Sequence, residues 1–192
     1  MQTSETFLAH VAVLAEAAAQ CHAAVNQTYD GYLPYAFHLR LTASYALRFL
    51  PLLQLDEAQG ETVLAAAYFH DTLEDARLSY NDLTALLTRL KDEHQLRLDV
   101  RAAAEAVYAL TNDKGRTRAE RAGDAYYQGI RETPFAPFLK MCDRLANLRY
   151  STLWTPRQRM ALVYAQEMPH FLKNIGQVPE EMVREAERLL LE

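Results

Sequence analysis

Thr62-Val-Leu-Ala-Ala-Ala-Tyr-Phe-His-Asp-Thr-Leu-Glu-Asp75 is the stretch on which fold and chemistry both turn. Thr62 to Phe69 is an apolar run of helical composition, closed by polar groups at His70, Asp71, Glu74 and Asp75. Residues four apart on an α-helix lie one above the other, so a continued helix pairs His70 with Glu74 and Asp71 with Asp75. The two stripes are adjacent. One helix end thereby offers an imidazole and a carboxylate to a metal ion, with further carboxylates a turn away. Asp56 is placed to cap this helix, which is predicted over about Glu57 to Glu74.

Helical signals continue on both sides. Thr3 or Ser4 can cap a first, alanine-rich helix that runs to about Val25. Asn26 to Pro34, rich in Asn, Asp, Gly and Pro, breaks it. A second helix is predicted from about Tyr35 to Leu50, carrying His38 and stopped by Pro51. Ser79 and Asp82 form a capping-box pattern for a helix to about Leu90, and another follows from about His94 to Leu110. Thr111 to Thr133 is polar, with a turn at Asn112 to Gly115 and a short helix around Arg118 to Tyr127. Pro134 and Pro137 open a helix through Asp143 to about Leu153. Thr155-Pro156 starts the next, and Pro179 likewise the last, Glu180 to Leu191. Convincing alternating strands are absent from this reading. The expected architecture is all-α, one domain over residues 1–192.

Composition narrows the function classes. With 192 residues the chain buries enough surface to fold without disulfides. A net charge of −5 argues against a nucleic-acid polymer as the main partner. Cys21 and Cys142 have no CxxC spacing and read as reduced thiols of a cytoplasmic protein. No run of 18 apolar residues occurs, so no membrane span is expected, and Met1 to Ala24 lacks the basic start of a secretory signal.

His38 upstream and Asp143 downstream extend the metal reading. His38, His70, Asp71 and Asp143 make a mixed nitrogen and oxygen donor set that suits Mn, Fe, Zn or Mg. Lys140 and Asn147, three before and four after Asp143, share its helix face. Arg144 reads equally as a substrate contact or a salt-bridge partner. Lys114, Arg116, Arg118 and Arg121 form a basic stretch, either a solvated face or a phosphate clamp. Tyr29, Tyr32 and Tyr35 can stack on a base or simply pack, and His22 reads as a hydrogen-bonded helix residue.

The order of these segments resembles the HD-domain phosphohydrolase superfamily. Within it, the likeness is to the hydrolase domains of the RelA/SpoT family and to small alarmone hydrolases. Tyr68 to Asp75 is similar to that family's HD-x-x-ED motif, and Lys140-Met-Cys-Asp-Arg-Leu-Ala-Asn-Leu-Arg149 to its K-x-x-D-R-L-x-N-x-R motif. Cys21-His22 followed by Leu33-Pro-Tyr-Ala-Phe-His38 is similar to its first motif. The likeness spans about residues 20–155, with C-terminal helices over 156–191. It implies an HD-type helical bundle that hydrolyses the 3′-pyrophosphate of guanosine tetra- or pentaphosphate. One Mn ion would sit on His38, His70, Asp71 and Asp143. Glu74 and Asp75 take the place of the family's catalytic acidic pair, and Asn147 that of its nucleotide-contacting asparagine. Two positions depart from the pattern. Asn26-Gln-Thr-Tyr-Asp-Gly31 stands where the family carries basic nucleotide-holding residues, and Leu39 replaces a usual proline. A phosphohydrolase acting on another nucleotide or phosphate ester, or a non-catalytic nucleotide-binding module, therefore stands as the alternative.

Overall fold

From Gly60 to Phe69 every residue is buried, which marks this helix as the pillar of the structure. The computed structural model describes residues 5–112, 116–153 and 158–191. In chain order these residues form α1 (Glu5–Ala24), β1 (Thr28–Tyr29), β2 (Leu33–Pro34), α2 (Ala36–Phe49) and a 3-10 turn (Leu50–Leu53). Then follow α3 (Glu57–Phe69), α4 (Tyr80–His94), α5 (Val100–Leu110), α6 (Arg118–Arg121) and α7 (Asp124–Glu132). The chain ends with α8 (Ala136–Leu153), α9 (Gln158–Asn174) and α10 (Glu180–Leu190). The protein is an all-α bundle with one two-residue hairpin.

Around α3 pack α1, α2, α5 and α8, and α10 covers α8 from outside. Ala65, Ala66 and Ala67 keep α3 thin, so its neighbours approach closely, while Leu64 and Phe69 fill the space between them. A fully buried side chain of that size contributes roughly 1.5–3 kcal/mol relative to exposure. One connected core reaches from Phe7 in α1 to Leu189 in α10. Asp56 caps α3 with a reciprocal Gln59 bond, and Ser79 caps α4 with Asp82 in the same way. Caps at Thr3 or Ser4 and at Thr155-Pro156, and the turn residues 113–115, lie outside the described residues.

The departures from the predicted boundaries have local causes. α3 stops at Phe69, not Glu74. Thr72 ends it, donating to the Phe69 carbonyl from both its N–H (3.0 Å) and its hydroxyl (2.6 Å). His70 Nδ1 similarly donates back to the Ala67 carbonyl at 2.9 Å. Asp71 and Asp75 still stack, because the Asp75 N–H reaches the Asp71 carbonyl at 2.8 Å in a tight turn. α4 runs on to His94 and ends at a left-handed Gln95, so α5 starts only at Val100, capped by Asp99. The expected short helix is split at Gly123 into α6 and α7, and Pro179 is the N-cap of α10, not its first helical residue. α1 is long and apolar enough to cross a membrane by length and composition, which the sequence reading missed. Here its stripe of Phe7, His10, Leu14, Ala18 and His22 is buried against the bundle.

Glu61 is 1% exposed yet polar, and it ties three elements together. His10 Nδ1 bonds one oxygen at 2.6 Å and the Arg97 N–H the other at 2.5 Å. Glu61→Ala strands both donors, each costing about 1–3 kcal/mol when buried and unmet. An unfolding free energy lowered by at least about 2 kcal/mol, read as a lower denaturant midpoint at unchanged slope, is expected; a loss below about 0.5 kcal/mol would show the network to be incidental.

Candidate metal centre and its cleft

Three elements deliver the donor atoms. The hairpin reverses at Asp30 (φ 58) and Gly31 (φ 81), a pair of left-handed residues for which glycine is suited. It thereby lays the Tyr29 ring on His38, with centroids 4.9 Å apart and planes 10° from parallel. His38 sits in the first turn of α2, His70 and Asp71 at the end of α3, and Asp143 midway along α8. The four side chains meet. His38 Nε2 is 3.2 Å from His70 Nε2, 3.4 Å from Asp71 Oδ2 and 3.3 Å from Asp143 Oδ1. His70 Nε2 is 3.0 Å from Asp71 Oδ2. The ligand atoms of His38, His70 and Asp143 all lie within 4.8 Å of one another, and all three residues are buried.

This arrangement calls for a cation. His70 Nδ1 faces the Ala67 carbonyl, which only accepts, so that nitrogen carries a proton and Nε2 is the atom turned to the cluster. Two carboxylate oxygens and the His38 nitrogen face the same point. The buried His38, His70 and Asp143 cluster is thus able to hold a divalent metal ion.

The electrostatics agree. Burial disfavours charge on His38, but hydrogen bonds and attraction from Asp143 and Asp71 outweigh it and raise its pKa to about 9. Burial likewise opposes ionisation of Asp71, yet the His70 and His38 imidazoles hold it well below the usual carboxylate range. For Asp143 the Lys140 ammonium leads the groups that overcome burial and push its pKa down. Both carboxylates are ionised throughout the neutral range.

Neighbouring side chains brace the ligands. Asn147 Nδ2 donates to Asp143 Oδ1 at 2.6 Å, Lys140 Nζ to Asp143 Oδ2 at 3.0 Å, and Tyr29 Oη to Asn147 Oδ1 at 3.0 Å. Tyr35 Oη lies 2.7 Å from Asp71 Oδ2 and 2.6 Å from Asp75 Oδ2, bridging a ligand to one member of the acidic pair. Burial, with the nearby Asp71 and Glu74 charges, raises the Asp75 pKa against the Tyr35 bond. Glu74 is exposed and is gripped by Asn112, whose Nδ2 lies 3.1 and 3.0 Å from its two oxygens.

His38, Asp71 and Asp143 line a cleft of about 840 Å³ that also holds Glu74, Asp75, Lys140, Arg144 and Asn147. α7 and α9 supply walls the sequence reading did not assign to a site, among them Asp124, Tyr126, Tyr127, Tyr164, His170 and Phe171. Nothing local marks these residues; the packing of α7 and α9 on α8 brings them there. Arg144 is committed to Glu167 at 3.0 Å and lies over the rings of Tyr164 and Phe171. Of the basic stretch, Arg121 lines the cleft, and Arg116 is exposed with its N–H on Glu120. Lys114 and the Arg118 side chain lie outside the described residues. The tyrosines pack: Tyr29 on His38, Tyr35 on His22, and Tyr32 Oη 3.1 Å from Tyr150 Oη. His22, expected to be hydrogen-bonded, has no protein partner at either ring nitrogen among the described residues.

Compared with known protein families and with curated proteins, the chain matches none.

His38 sets a pH dependence. Its folded pKa of about 9 lies above the unfolded value of 6.5. The metal-free protein therefore keeps this contribution below about pH 6.5 and loses it as pH rises through about 9. Denaturant melts of chelator-treated protein should weaken over that window, and His38→Gln should flatten this part of the profile. An unchanged slope in His38→Gln would contradict the coupling.

Proposed function

We propose that this protein is a metal-dependent phosphohydrolase. The observation that carries the reading is the convergence of two imidazoles and two carboxylates on one buried point, with a second carboxylate pair in the same cleft. A divalent ion bound there supplies Lewis acidity, polarising a phosphoryl oxygen and acidifying water. The chain supplies the rest. Glu74, exposed in the cleft and held by Asn112, is placed to accept the proton of an attacking water. Asp75, tethered through Tyr35, lies beside it to orient that water. Asn147 and Lys140 hold Asp143 in position, so both act through a ligand.

The motif likeness favours guanosine 3′,5′-bis(diphosphate) as substrate and Mn as the ion. Water would attack the 3′-pyrophosphate, breaking its bond to the ribose oxygen and releasing pyrophosphate. A second reading, hydrolysis of a less charged nucleotide or another phosphate ester, draws on the ion pairs. Lys140 and Arg144 are already matched to Asp143 and Glu167, and six carboxylates line the cleft beside three basic side chains. A panel of nucleotides assayed with Mn²⁺ separates the two: pyrophosphate from the bis-diphosphate supports the first, phosphate from a monophosphate alone the second. No turnover of any phosphate ester sinks both.

Two substitutions divide chemistry from binding. Asp71→Ala should abolish tight metal binding and activity together, and metal content equal to wild type would remove Asp71 as a ligand. Glu74→Gln should retain metal while turnover drops by roughly 10²–10⁴-fold; loss of metal instead would make Glu74 a ligand.

Arg121 is the basic side chain of the cleft for which the described residues show no ion pair, which suits it to a substrate phosphate. Its replacement by Gln removes a charge-assisted bond worth about 1.5–3 kcal/mol, seen in KM with kcat little changed. Unaltered KM would return Arg121 to the solvated face.

A further inference from the structure

Buried polar side chains in this fold are generally paired, and the exceptions gather behind the metal centre. His10 meets Glu61, Thr62 bonds the Ala58 carbonyl, Thr72 that of Phe69 and Ser151 that of Leu148. Among the described residues, the fully buried side-chain nitrogens and oxygens without a hydrogen-bonding protein group are both ring nitrogens of His22, Nδ1 of His38 and Oγ1 of Thr42. These three residues are 1%, 2% and 0% exposed. Thr42 follows His38 by four residues, so the two share one face of α2. His22 ends α1, which packs on α2, and its ring stacks on Tyr35 at 4.3 Å; the Tyr35 ring is in turn 5.8 Å from that of His38.

A histidine that binds a metal through one nitrogen is oriented by what its other nitrogen donates to. His70 follows that rule with the Ala67 carbonyl. His38 turns Nε2 to the donor cluster, and its buried Nδ1 meets no protein acceptor among the described residues. A buried N–H needs an acceptor and the Thr42 hydroxyl needs a partner. Water is small enough to serve both, and sites with several polar walls are where buried water resides.

We propose that an ordered water behind the metal centre accepts the His38 Nδ1 proton and donates to Thr42 Oγ1, with His22 forming part of the same hydration pocket. The water locks the tautomer in which His38 Nε2 offers its lone pair to the ion. Thr42 is accordingly a positioning residue that acts through His38. This rests on His38 being a metal ligand, and the test separates the two statements.

Thr42→Val removes the hydroxyl at nearly constant volume. Mn²⁺ affinity, titrated on the full chain, should weaken about tenfold, Thr42→Ser should restore it, and the metal-free Thr42→Val protein should melt below wild type. A Thr42→Val protein that melts higher, with Mn²⁺ affinity unchanged, overturns the proposal, because the hydroxyl was then simply unsatisfied. Metal-free wild type gives a check that needs no variant. A nuclear Overhauser contact from long-lived water to the Thr42 methyl, with ¹⁵N shifts showing His38 Nδ1 protonated, is expected. Its absence overturns the hydration site even where Mn²⁺ binds, whereas a water contact in a protein that binds no Mn²⁺ overturns the metal reading instead.

Discussion

The constraint that organises this molecule is the meeting of like-natured donor atoms in a buried place. His38 Nε2, His70 Nε2, Asp71 Oδ2 and Asp143 Oδ1 come within 3.0–3.8 Å of one another. Without a metal ion the protonated His38 offsets part of the carboxylate charge. Neighbouring groups fix the rest. Tyr29 lies flat on His38, the Ala67 carbonyl accepts from His70 Nδ1, Tyr35 donates to Asp71, and Asn147 and Lys140 donate to Asp143. Side chains held this fully in place are those expected of a preorganised ion site.

That demand propagates into the fold. The donors come from α2, the end of α3 and α8, so those helices must be fixed relative to one another within a few tenths of an ångström. α3 is buried on every side, and α2 and α8 pack both on it and on each other. Deep burial gives rigidity, and His70, the residue after Phe69, keeps right-handed helical angles (φ −55°, ψ −33°) as α3 passes into the turn that carries Asp71.

Much of this was legible in the sequence because it is written in local signals. Asp56 with Gln59 and Ser79 with Asp82 announced helix starts, and Pro51 announced an end. That His38, His70, Asp71 and Asp143 would come together was legible from the order of histidine and aspartate on successive helices. Other features depend on distant partners. No periodicity says that Thr72 will outcompete the helix for the Phe69 carbonyl, or that Gln95 will turn left-handed. The partners of Lys140 and Arg144 also needed three dimensions: the sequence left pairing or substrate contact open for Arg144, and the fold matches both to carboxylates, one on their own helix and one on α9. Tyr126, Tyr164 and Phe171 escaped notice because a tyrosine or phenylalanine on a helix normally reads as core.

The cleft joins an acidic lining to aromatic walls, and a divalent ion held at its base would offset part of that negative charge. Whether the cluster coordinates an ion through both imidazoles is therefore the most direct question. Electron–nuclear double resonance on the Mn²⁺-loaded protein answers it without substrate. Two distinct imidazole nitrogen couplings are expected in the wild type, falling to one in His38→Gln. A spectrum of fully hydrated Mn²⁺, with no nitrogen coupling, would contradict the metal centre.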